Sequence, residues 1–94
     1  MSLAEIRNEI DAIDGEIFFL LHRRFRLALR TRDLKPLTRD PSREREIFNQ
    51  LKEKAARFPL LRKNFILGLY REILRESRRL QRRSGRDKNQ EKQT

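Results

Sequence analysis

The sequence predicts an all-α protein of three helices, one long, one short and one medium, in an intertwined helical homodimer. Three observations carry this prediction. Apolar residues recur at steps of three and four, the period of a helix face packed against other helices, through Ile6, Ile10, Ile13, Ile17, Leu20, Leu27 and Leu34. Breaks in the pattern fall at Pro36, at Asp40-Pro41 and at Phe58-Pro59, which divides the chain into three helical segments. No segment alternates apolar and polar residues as a strand would.

The first helix starts at Ser2, an N-cap, with Glu5 three residues on as its capping-box partner. It is expected to run to Lys35, because Pro36 disfavours the α conformation in the residue before it. Gly15 inside it costs about 1 kcal/mol relative to alanine. At the helical rise this rod is roughly 50 Å long, too long for the two later helices to cover. A second copy of the chain is its natural cover, and a chain of 94 residues has only a thin core of its own.

Residues 36–39 form a short loop. Asp40 then caps the second helix and Pro41 takes its first position. Ile47, Phe48, Leu51 and Ala55 make its apolar face, and it ends near Phe58. The third helix is expected from about Leu60 to Gln81, with Phe65, Ile66, Leu69, Ile73 and Leu80 along its stripe. Residues 1–81 thus form one helical domain. From Arg82 to Thr94 there is no apolar residue, and this basic segment is expected to be a disordered tail.

Composition narrows the chemistry. The chain has no cysteine, which excludes disulfides and thiolate metal sites, and its single His22 reads as a helix-surface residue that cannot make a zinc site alone. No metal and no cofactor are expected. No stretch is apolar enough to span a membrane and no leader pattern opens the chain, so an intracellular, cytoplasmic protein is expected. The net charge of +10, from 24 Lys+Arg against 14 Asp+Glu, calls for anionic partners, either nucleic acid or small polyanions.

Several polar residues are not explained by packing. Arg24 stands on the apolar seam of the first helix, as does Thr31. A guanidinium there either reaches aside to solvent or waits for an anionic ligand. Lys35, eleven residues after Arg24, is close to three turns on and points the same way. Asp40, Arg43 and Glu44 share one turn, and Ser77 and Gln81 interrupt the third helix as an i, i+4 pair. Three helices thus aim polar groups inward. Each has a plain structural reading when taken singly: Arg7 as a solvated residue, Asp40 as a cap, Arg43 and Glu44 as a first-turn surface group, Ser77 bonded to its own helix, Gln81 as an exposed helix end.

Taken jointly, the segments IRNEIDAID with Arg7, LLHRRFRLA with Arg24, then Lys35, DPSRERE with Asp40, Arg43 and Glu44, and ESRRLQ with Ser77 and Gln81 resemble the all-helical chorismate mutases. The likeness covers residues 3 to about 81. The short loop between Lys35 and Asp40 and the basic tail depart from the family pattern.

The resemblance implies rearrangement of chorismate to prephenate in aromatic amino acid biosynthesis. This is a pericyclic step that needs no nucleophile, metal or cofactor. It needs the flexible dianion compacted into a chair-like shape, and donors where charge develops on the ether oxygen. By resemblance Arg7 and Arg24 would clamp the carboxylates. Lys35 would bridge a carboxylate and the ether oxygen, and Gln81 would donate to that oxygen. Glu44, helped by Asp40, would accept from the substrate hydroxyl. Ser77 would touch a carboxylate, and Arg43 would brace the acidic residues. Arg7 and Lys35 lie 28 positions apart, roughly 42 Å along one rod. If both serve one site they come from different chains, with Arg7 contributed across an antiparallel dimer.

Three rivals remain at this point. An isochorismate-pyruvate lyase on the same scaffold would need the same clamps, but the set Asp40, Arg43, Glu44 and Gln81 looks more like the mutase. A basic helical nucleic-acid-binding module has the net charge in its favour; the absence of aromatic residues from the basic tail and of a recognition-helix motif argues against it. A helical docking protein with a vestigial ligand site is the third.

Overall fold

The computed structural model describes residues 1–32, 34 and 40–93, with residues 83–93 described by their backbone alone. It is all helical over the described residues: α1 spans Leu3–Thr31, α2 Pro41–Ala55 and α3 Lys63–Gln93. The expected three helices are present.

Their starts follow the sequence signals. Ser2 Oγ accepts from the Glu5 backbone N–H at 3.1 Å and caps α1. Asp40 Oδ1 accepts from the Arg43 N–H at 3.1 Å and caps α2, with Pro41 in its first turn.

The boundaries differ at four places. α1 ends at Thr31 and not at Lys35. Its last bonds tighten to a three-residue spacing, Arg32 N–H to Leu29 O at 3.2 Å and Leu34 N–H to Thr31 O at 3.0 Å. The Thr31 hydroxyl also donates to Ala28 O at 2.7 Å, competing for a helical carbonyl. α2 stops at Ala55, short of Phe58, and closes through Arg57 N–H to Lys54 O and Phe58 N–H to Ala55 O. α3 begins at Lys63 rather than Leu60, since residues 59–62 turn the corner first; Leu61 N–H donates to Phe58 O at 2.9 Å. The fourth difference is at the far end. The α3 backbone continues helically to Gln93, through the segment expected to be a tail. Arg, Lys, Gln and Glu are good helix formers, and no proline interrupts them there.

α3 is the central element: α1 and α2 each pack on it and not on each other. The core is small, with Leu51 of α2 and Leu67, Ile73 and Leu74 of α3 buried. Two apolar faces stay open. Every residue from 1 to 20 is exposed, including Ile6, Ile10, Ile13 and Ile17 on the α1 seam. On α3, Phe65 and Leu69, expected in its packed stripe, are 55% and 43% exposed. The face α3 turns to its neighbours runs instead through Leu67, Leu74, Ser77 and Gln81. α3 is therefore apolar on two sides, and only one is covered within the chain. No helix among the described residues is long and apolar enough to cross a membrane.

Candidate functional site

The three helices meet around one cavity of about 450 Å³, within the range of small-ligand sites. The C-terminal third of α1 supplies Arg24, Leu27, Ala28 and Thr31. At about 100° per residue these four fall within one 100° arc. The start of α2 supplies Asp40, Arg43, Glu44 and Ile47, and α3 supplies Leu74, Ser77, Arg78 and Gln81. Apolar walls alternate with charged and amide groups, as in a site that both encloses and orients a polar ligand.

Arg24 resolves the alternative its sequence position left open. It is half-buried, lines the cavity, and its Nη1 donates to Ser77 Oγ at 3.2 Å across α1 and α3. Ser77, itself buried, donates its hydroxyl proton to Ile73 O at 3.0 Å. A hydroxyl has one proton and two lone pairs, so Ser77 is an acceptor towards Arg24. A guanidinium has five N–H donors, and the Ser77 contact uses one while fixing the plane of the rest.

Gln81 is not the exposed helix end that its position also allowed; it is 5% exposed. Its Nε2 donates to Ala28 O at 2.8 Å and to Thr31 Oγ1 at 3.3 Å. Thr31 can accept because its own proton goes to Ala28 O. Thr31 stood out in the sequence as a polar interruption of the α1 seam, and its partner is the amide from α3.

The acidic side is arranged differently from the expectation. Arg43 gives its backbone N–H to Asp40, but its guanidinium pairs with Glu46 at 2.6 Å, not with Asp40 or Glu44. Both partners of that pair are more than half exposed. The residue that meets Glu44 is Arg78, through an Nη1–Oε1 ion pair with side chains 23% and 16% exposed. Sequence reasoning passed over Arg78, which sits beside Arg79 in a basic run. Helical geometry separates the two. Residue 78 faces the cavity with Ser77 and Gln81, while Arg79 turns outward, its Nε donating to Glu76 at 3.0 Å. That hydrogen bond holds the Glu76 carboxyl below its ordinary pKa and raises that of Arg79, on an exposed surface outside the site.

Six of the eight expected residues therefore line the cavity: Arg24, Asp40, Arg43, Glu44, Ser77 and Gln81. Lys35 lies outside the described residues. Arg7 is exposed near the start of α1 and does not line the cavity. It is 17 positions from Arg24, about 26 Å along the helix. Among the described residues no group of three His, Cys, Asp or Glu side chains could hold a metal ion.

The cavity's lining carries three guanidinium groups against two carboxylates, so it favours an anion. Its chemistry is to clamp, compact and hydrogen-bond; no cysteine is available as a nucleophile and the sole histidine, His22, is exposed on α1. The family model for chorismate mutase type II matches residues 6–82. Comparison with curated proteins and with solved structures returned no match.

Proposed function

The chain belongs to the chorismate mutase type II family, and on that premise we propose that it rearranges chorismate to prephenate, with the substrate held as a dianion and no covalent intermediate. The observation that carries this reading is a single cavity lined from three helices by Arg24, Asp40, Arg43, Glu44, Ser77 and Gln81.

The roles follow from what each side chain can donate or accept. Arg24, held in plane by Ser77, offers a fork of N–H groups to one carboxylate. Ser77 thus serves the ligand by orienting Arg24. Gln81 presents its amide from a nearly dry position and donates to the ether oxygen as the C–O bond breaks. Its longer contact, to Thr31, is the one a ligand would replace. Glu44 accepts from the substrate hydroxyl. Lys35 supplies a second cation near the ether oxygen. Leu27, Ile47 and Leu74 form the apolar walls that favour the compact shape over the extended one.

A second copy of the chain completes the site. Arg7 is too far along α1 to reach the cavity of its own chain, and the apolar seam on its helix is open from Ile6 to Leu20. Pairing α1 antiparallel with its copy covers that seam and brings the partner's Arg7 to the cavity. The dimer is then required for activity.

The test is chorismate depletion by the purified protein, read with prephenate formation. Conversion that is lost in Gln81→Ala and in Arg7→Ala supports the proposal. Release of pyruvate from isochorismate, with chorismate untouched, would replace it with the lyase reading.

A further inference from the structure

We infer that Arg78 is a positioning residue of this site, a built-in counter-ion that lets a carboxylate serve in a cavity made for a dianion. The inference rests on the mutase reading above and deepens it.

The difficulty begins with Glu44. A carboxylate in the lining of an anion site repels the ligand that the site must bind. Yet a carboxylate is the side chain best able to accept a hydrogen bond from a ligand hydroxyl. Arg78 reconciles the two demands. It reaches from α3 to α2, across 34 positions of sequence, and pairs with Glu44. Both side chains are mostly out of solvent, so screening between them is weak. The pair is nearly neutral as seen by an incoming anion. The guanidinium also holds one carboxylate oxygen, Oε1, which fixes the orientation of the other.

The neighbouring charges do not do this work. Arg43 directs its guanidinium to Glu46, and Arg79 directs its own to Glu76. Arg78 shares the α3 face of Ser77 and Gln81, so one helix face carries the orienter of Arg24, the donor to the ether oxygen and the counter-ion of Glu44.

The mechanism makes Arg78 act through Glu44, and a double-mutant cycle reads that dependence. Steady-state kinetics on chorismate are measured for the wild type, Arg78→Met, Arg78→Lys, Glu44→Gln and the Met/Gln double variant, with thermal melts to establish that each is folded. Arg78→Met is expected to raise KM about tenfold while kcat changes much less, because an uncompensated carboxylate opposes binding of the dianion. Arg78→Lys, which keeps the charge, is expected to recover most of that loss. In the Glu44→Gln background there is no charge to compensate, and the same Arg78→Met change is expected to cost less than about twofold.

An equal KM penalty in both backgrounds would overturn the inference, since Arg78 would then contact substrate directly. So would an unchanged KM in the folded single variant, or a failure of lysine to recover what methionine loses. A wild type that leaves chorismate untouched would overturn the mutase reading itself, and this inference with it. The wild-type measurement and the variant cycle therefore separate the two failures.

Discussion

Gln81 concentrates the chemistry at the scale of a single residue. It is a polar side chain 5% exposed at the end of an otherwise apolar face, and both of its N–H contacts cross to α1. Replacing it with alanine removes one donor from a dry site, and a loss of about 10²–10³ in kcat is expected. An amide does not titrate, so the proposed reliance on Gln81 puts no steep fall in kcat between pH 5 and 8; a pH profile of the wild type checks this, and a sharp decline in that window would count against the assignment. Ser77→Ala should act more gently, by freeing Arg24 to rotate. A KM increase of several-fold with kcat largely kept is expected, since one hydrogen bond to a charged group is worth about 1.5–3 kcal/mol at most. Arg24, Thr31, Ser77 and Gln81 were legible in the sequence because each breaks an apolar period, and a polar residue in such a place needs a partner. Arg78 was not legible. Nothing in a run of two arginines says which faces inward until the helix phase is fixed by its neighbours, and the partner, Glu44, is on another helix.

At the scale of the helices, both N-caps and the α1 seam could be read directly, because Ser2, Asp40 and Pro41 act on their own first turns. The ends were less legible. Helix termination at Thr31 depends on a hydroxyl competing for Ala28 O and on bonds that tighten over several residues, which leave no fixed sequence mark. The packed face of α3 was misjudged for a related reason. Phe65 and Leu69 are as apolar as Leu67 and Leu74, and period alone does not say which of two apolar faces meets the chain's own helices. Gly15 offers a test at this scale. It lies on α1 opposite the Ile10–Ile13–Ile17 seam, and a Cβ there would meet nothing within 4 Å. Gly15→Ala should therefore stabilise the protein by about 0.5–1 kcal/mol, seen as a higher melting temperature with activity unchanged.

For the whole molecule, shape is the informative quantity. A compact domain of this length would have a radius of gyration of about 12 Å, whereas the chain measures 17.3 Å and extends 59 × 30 × 17 Å. Its excess length is α1, whose first half touches no other part of the chain and carries four exposed isoleucines. The proposed dimer is the assembly that covers them. Sedimentation should give twice the chain mass, and introducing aspartate at Ile10 and Ile13 together should yield an inactive monomer that melts at a lower temperature. Complementation gives a sharper check. Mixing Arg7→Ala with Gln81→Ala chains after unfolding and refolding should restore roughly a quarter of wild-type activity, because half of the dimers are mixed and one of their two sites is intact. No restored activity would mean that Arg7 and Gln81 do not meet across chains.

The bare isoleucines of α1 also bear on how output responds to abundance. If two copies must meet before any turnover, each newly made chain is idle until it finds its mate. At low expression, flux would then climb with the square of the chain's concentration, and straight-line behaviour would return only once nearly every chain is mated. Dilution alone would switch the protein off, with no inhibitor and no change in any side chain.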